Sequence, residues 1–93
     1  MKIKESIEKE QINTLNFSRK EVLQSTDEIK LRLADLQRSQ TLGNLLHSKV
    51  HITFQSANEQ IYEVYTTVWA VASEFIVLKG GVTIPINSIL KVE

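Results

Sequence analysis

No cysteine occurs in this chain, which excludes disulfide staples, thiolate nucleophiles and every zinc site built on cysteine. Nothing therefore marks an oxidising compartment, and a reducing cytoplasm is the expected setting. Charge of one sign is missing as well. Residues 1–46 carry eight basic and seven acidic groups and residues 47–93 carry three and four, which add to the eleven of each sign in the whole chain. Phosphate neutralisation dominates nucleic-acid affinity, so a near-neutral first half and a slightly acidic second half argue against nucleic-acid binding by a monomer. Long apolar runs are lacking too. The start, Met1-Lys2-Ile3-Lys4-Glu5-Ser6-Ile7-Glu8, has no apolar stretch of signal-peptide length, and no later run approaches a membrane span, so no membrane contact is expected.

What is present suits one small core. An apolar content of 42% over 93 residues predicts a single domain, 1–93, with a helical part at 1–46 and a β part at 47–93. A core of that size without disulfides gains stability most easily by self-association.

Three signals around residue 18 predict a helix start. Ser18 is placed to cap, Glu21 sits at the third helical position, and Phe17 can staple onto Val22. Ser25 and Glu28 repeat the capping spacing, with Thr26 and Asp27 favouring a first turn, so one helix or a helical hairpin fits. At 100° per residue Val22, Ile29, Leu33 and Leu36 share a stripe with Thr26 and Gln40. Leu31 points away from that stripe and Leu23 lies to its side, which leaves apolar surface for a second contact. A coiled-coil seam through Val22, Ile29 and Leu36 is disfavoured, because its other core position would hold Ser25, Arg32 and Ser39. Gly43-Asn44 marks a stop after Leu42. Ile3 and Ile7 are spaced for one helical face that Ile12 and Leu15 continue imperfectly, which suggests a frayed or separate short helix before residue 16.

From residue 47 the pattern changes to period two. Val50, Ile52 and Phe54 alternate with polar neighbours, and Ser56-Ala57-Asn58-Glu59 reads as a turn. Gln60 to Ala72 is dense in β-formers and long for one straight strand, which predicts a sharply bent one. Phe75 to Lys79 follows, then a Gly80-Gly81 hairpin into Val82-Thr83-Ile84. Pro85 marks an edge or a strand end, Ile86-Asn87-Ser88 a short turn, and Ile89 to Val92 the fifth strand.

A helix followed by five strands, the second long and bent and the last preceded by a short turn, resembles the Sm-like small barrels, including the Hfq type. The same layout is similar to SH3-like barrels. The resemblance implies an α+β fold: an N-terminal helix or helical hairpin docked on a five-stranded, strongly bent antiparallel barrel. Glu74 sits near the acidic position of the Sm-like second strand. Glu63-Val64-Tyr65-Thr66-Thr67 has no glycine at the bend, and Ile84-Pro85-Ile86-Asn87 stands where the Hfq type has Tyr-Lys-His. The run from Leu42-Gly43-Asn44 to Ile89 is also similar to short bacterial proteins, which implies no function.

Candidate chemistry is sparse. His47 and His51 are four apart without a third ligand nearby, so no metal is expected. Glu59, Glu63 and Glu74 form no fixed pair, and no nucleophile, base and oxyanion donor can be assembled, so neither catalysis nor a cofactor is expected. Lys79-Gly80-Gly81 fits a hairpin and not a phosphate loop. Trp69 shares a strand face with Ile61, Glu63, Tyr65 and Thr67. The barrel core is its simplest place, with a subunit interface second and a ligand contact third. The expected function is a non-catalytic protein-interaction or self-assembly module, a homo-oligomer or an adaptor for another protein, with Leu23, Leu31, Tyr65 and Trp69 as its interface residues. The second reading is an RNA-binding ring that repeats Lys49, Lys79 and Lys91 around a pore. A small-molecule sensor with a pocket between helix and barrel is the third.

Overall fold

In the computed structural model, which describes residues 4–93, the β-rich half folds into six strands packed as two sheets. The alternation that began at Val50 makes β2 (Val50–Gln55), which buries Ile52 and Phe54 and presents His51 to solvent. A turn at Ser56 to Glu59, with Glu59 at φ 68° and Ser56 N–H bonded to the Gln60 carbonyl at 3.0 Å, leads into β3 (Ile61–Thr66). The two strands pair antiparallel from Val50 with Thr66 to Gln55 with Ile61.

The long β-forming run does not stay in one sheet. It breaks at Thr67, and β4 (Val68–Val71) leaves β2 to pair with β5 (Phe75–Leu78). Thr66, Thr67 and Val68 are all buried at this crossing. A single strand could not face both sheets, so the chain turns where its inner side changes partner. β5 then pairs with β6 (Thr83–Pro85), and a 3-10 turn at Ile86–Ser88 precedes β7 (Ile89–Val92), which returns to β2. Gly80 and Gly81 take φ 91° and 88° at the β5–β6 hairpin. A methyl group on Gly81 would meet nothing within 4 Å, so its cost is purely conformational. Gly81→Ala is expected to lose about 1 kcal/mol and Gly81→Asn less, as read from urea denaturation. Equal stability of all three chains would contradict this.

With β1 (Glu5–Ser6) added, the sheets are β1-β3-β2-β7, of mixed direction, and β4-β5-β6, antiparallel. They make no closed five-stranded barrel, which corrects the expectation above. The added β1 is a two-residue strand parallel to β3. A core of Ile52, Phe54, Val64, Ile89 and Val92 from one sheet and Val68, Ile76, Leu78 and Ile84 from the other fills the space between them. Ile12 enters it from a short 3-10 helix, Lys9–Thr14; the short helix expected before residue 16 is found there only in part, because Glu5 and Ser6 form β1 and Ile7 follows it with its N–H on the Glu63 carbonyl, while Ile3 lies outside the described residues.

One helix, α1 (Thr26–Leu46), packs on β4 and β7. It starts at the second capping signal and not the first: the Ser25 hydroxyl accepts from Glu28 N–H at 3.3 Å. Residues 18–24 are irregular because distant groups take over their hydrogen bonds. The Asn87 side-chain amide donates to the carbonyls of Ser18 and Lys20, both at 2.9 Å, and Val22 N–H donates to the Asn87 carbonyl at 2.9 Å. Phe17 packs against Phe54, ring centres 5.9 Å apart, in place of the expected staple on Val22.

The helix also runs past its expected stop. It passes Gly43 and ends at His47, whose φ of 55° supplies the left-handed cap and whose N–H bonds to the Gly43 carbonyl at 3.0 Å. Its buried line is Arg32, Leu36, Ser39 and Gly43, flanked by Ile29 and Gln40. Leu33 is 43% exposed, so the apolar stripe expected at Val22, Ile29, Leu33 and Leu36 is rotated away from the real contact. Among the described residues no helix is long and apolar enough to cross a membrane.

Candidate interaction surfaces

Strand edges come first, since an unpaired edge is a template for another chain. The β4 edge is closed. Val71 N–H donates to Gln40 Oε1 at 2.6 Å, and Gly43 lets the α1 backbone come down on the Val68 carbonyl. The β3 edge is covered by β1, where Ile7 N–H bonds to the Glu63 carbonyl at 2.9 Å and Lys4 Nζ reaches Glu63 Oε2 at 3.0 Å. That lysine bond holds the Glu63 carboxyl below its ordinary pKa against an opposing effect of burial, with His51 Nδ1 at 3.5 Å adding to the lowering.

Among the described residues neither β6 nor β7 pairs with a further strand on its outer side, although the Arg32 guanidinium takes the Ile89 carbonyl at the start of β7. Ile86 donates to Glu74 and Leu78 to Val82 across the β5–β6 pair, so antiparallel alternation turns Thr83 and Pro85 to the free side. Proline has no N–H, and this edge offers Thr83 N–H and two carbonyls. His51 and Glu93 exchange both backbone bonds, at 2.9 and 2.8 Å, which points the N–H and C=O of Val92 away from β2.

Exposed apolar side chains form the second feature. Leu31 is 60% exposed, Trp69 46% and Tyr65 56%, while Leu23 is half-buried. The core placement of Trp69 is therefore corrected: Val68, its neighbour, points inward, and strand alternation sends Trp69 outward. Leu42, Leu45, Leu46 and Phe75 are exposed large apolar residues that the helix-stop reading at Gly43 and the strand reading of Phe75 passed over. The signal for Leu42 and Leu45 was their spacing from Leu31, eleven and fourteen residues.

The third feature is polar. His51 stacks on Tyr65 at 4.4 Å between ring centres, and Lys49 Nζ lies 5.6 Å from the Tyr65 ring centre. They border a shallow cleft of about 580 Å³ with Ser6, Gln11 and Glu63. Lys91 sits on β7 with Glu93 Oε1 at 3.4 Å, and Lys79 is at the hairpin of the other sheet. Of the three lysines, Lys91 lies in a strand, Lys49 just before β2 and Lys79 in the β5–β6 turn. His47 closes α1 while His51 lies on the Tyr65 ring, and among the described residues no group of three or more potential ligands could hold a metal.

The most buried charge stands between α1 and the sheets. Arg32 Nη1 and Nη2 donate to Glu21 Oε2 and Oε1, both at 2.6 Å, and Nη1 also donates to the Ile89 carbonyl at 3.0 Å. Arg32 Nε is buried with no hydrogen-bond partner among the described residues. The two arginine bonds draw the Glu21 carboxyl below its ordinary pKa, against an opposing effect of burial. Both residues border an open cleft of about 850 Å³ that also touches Phe17, Phe75, Pro85 and Asn87. The bidentate pairing occupies both carboxylate oxygens, so its evident work is to anchor residues 17–23 to α1 and β7.

No protein-family model, curated protein or solved structure matches this chain. Function is therefore argued from these surfaces alone.

Proposed function

We propose that the chain is a non-catalytic interaction module of the cytoplasm that assembles with copies of itself. The observation that carries this is the unpaired β6 edge and the Val92 end of β7, joined through one short 3-10 turn, while α1 covers the β4 edge. A fold that leaves such edges free has room for edge-to-edge pairing between chains. Exposed Leu31, Leu42, Tyr65 and Trp69 supply apolar area for further contacts. The finer fold reading goes with it. Strand order β7-β2-β3 and β4-β5-β6, with the crossing at Thr67 and the turn before β7, is similar to the Sm-like and SH3-like layout.

The test is the oligomeric state of the intact chain. Light scattering coupled to gel filtration should give a mass at least twice that of the 10.6 kDa chain. A clean monomer at high micromolar concentration would end the proposal.

A further inference from the structure

Leu31, Asp35, Arg38, Leu42 and Leu45 recur along α1 at steps of four, three, four and three residues. That is the spacing of a helix seam. At 100° per residue its centre lies roughly 110° around the helix from the buried line of Arg32, Leu36, Ser39 and Gly43, so most of it turns away from the protein's own sheets, with the Asp35 side chain, 21% exposed, its most covered member. Leu31 and Leu45 are 60% and 73% exposed, and Asp35 and Arg38 form an ion pair at 2.9 Å between them.

From Leu31 to Leu42 the order of residues in this seam is the same read from either end: leucine, charge, opposite charge, leucine. Laid antiparallel on a second copy about a two-fold axis between Leu36 and Gln37, Leu31 of each helix meets Leu42 of the other. Asp35 of each then meets Arg38 of the other. The two ion pairs become a four-charge cluster with alternating signs, bracketed by leucine contacts. A parallel arrangement would instead set Asp35 against Asp35 and Arg38 against Arg38, which disfavours it. A single-sign partner would leave one of the two charges opposed by its like. The surface is thus complementary to itself.

We infer that α1 pairs antiparallel with α1 of a second copy through Leu31, Asp35, Arg38 and Leu42. This rests on the self-assembly reading above and names one surface that performs it, distinct from the strand edges. The register departs from the heptad through Val22, Ile29 and Leu36, most of which the fold uses for its own packing.

The absence of native cysteine makes the test clean. The double variant Leu31→Cys/Leu42→Cys, mildly oxidised, should give a covalent dimer that a thiol reductant reverses. Leu31→Cys alone and Leu42→Cys alone should stay monomeric on a non-reducing gel, and an equimolar mixture of the two single variants should cross-link. Charge reversal supplies the second arm. Asp35→Arg and Arg38→Asp should each weaken self-association by about tenfold or more, and mixing the two should restore it as a heterodimer. Unchanged far-ultraviolet circular dichroism and Trp69 fluorescence will show that these surface variants fold. Efficient cross-linking of either single variant by itself would overturn the antiparallel register. If the wild-type chain associates but the double-cysteine variant never cross-links, the seam is wrong while self-assembly stands. A monomeric wild type overturns both.

Discussion

Gly43→Ala should destabilise the protein by about 2 kcal/mol, although in an exposed helix interior the same change would gain about 1 kcal/mol. The reversal comes from the approach of α1 to β4. A methyl group on Gly43 would stand 2.5 Å from the Val68 carbonyl oxygen and 2.9 Å from Thr67 Cγ2. The first neighbour is backbone in a paired strand and cannot swing aside, so the helix must lift. Lifting it also stretches the bond from Val71 N–H to Gln40 Oε1, which reopens the β4 edge. Urea denaturation followed by Trp69 fluorescence would measure the loss, with Asn44→Ala on the exposed neighbouring position as the control for helix propensity. A stabilised Gly43→Ala would show that the close approach is not tight.

The second large effect is asymmetric. Glu21→Ala should cost about 3 kcal/mol, because it leaves the Arg32 guanidinium buried with the Ile89 carbonyl as its remaining acceptor. Arg32→Met should fall within about 1 kcal/mol of wild type. An apolar side chain of similar length then fills the site, and Glu21, whose side chain is 34% exposed, can return to water. Equal losses in the two variants would refute this account. The pH dependence has a definite sign. Arginine hydrogen bonds lower the Glu21 pKa in the folded state from its ordinary value near 4.5, so the contribution is complete above that value. It is lost as pH falls through the lowered folded value, where protonation weakens the pair. Glu21→Ala should be correspondingly less sensitive to acid across that range.

Much of the β half was legible because its signals are local. Alternation at Val50 to Gln55 and the proline ending β6 each act over a few residues, and the fold uses both as read, while the two-residue hairpin expected at Gly80-Gly81 widens to three residues, 79–81, between Leu78 and Val82. The bend in the long β run was legible as a need, while its position at Thr67 depended on which sheet claims each side. The helix was misread at both ends for one reason. Asn87, sixty-nine residues beyond Ser18, takes the Ser18 carbonyl and the Val22 N–H that a helix begun at Ser18 would have bonded to each other, and β4 takes the glycine that would have ended the helix. The buried line of α1 was invisible to hydropathy because three of its members are arginine, serine and glycine.

Interface residues were legible in part. Leu31 was singled out because it opposed the apolar stripe, and it is exposed. Trp69 was named among the interface residues with the core weighed as its simplest place, and its position beside the buried Val68 decides for the outward direction. Asp35 and Arg38 drew no notice, since charged residues on a helix are ordinarily just solvated.

The Asn87 bridge also orders events in time. Ser18, Lys20 and Val22 all await a residue near the far end of the chain, and Arg32 awaits the Ile89 carbonyl. Contacts of such separation are slow to form because a long loop must close first. During synthesis α1 can form early from its own Ser25 cap, but residues 18–24 stay without these partners until the last strand has emerged. The segment that tethers the helix to the sheets is therefore a late clasp in assembly, although it lies in the first quarter of the chain.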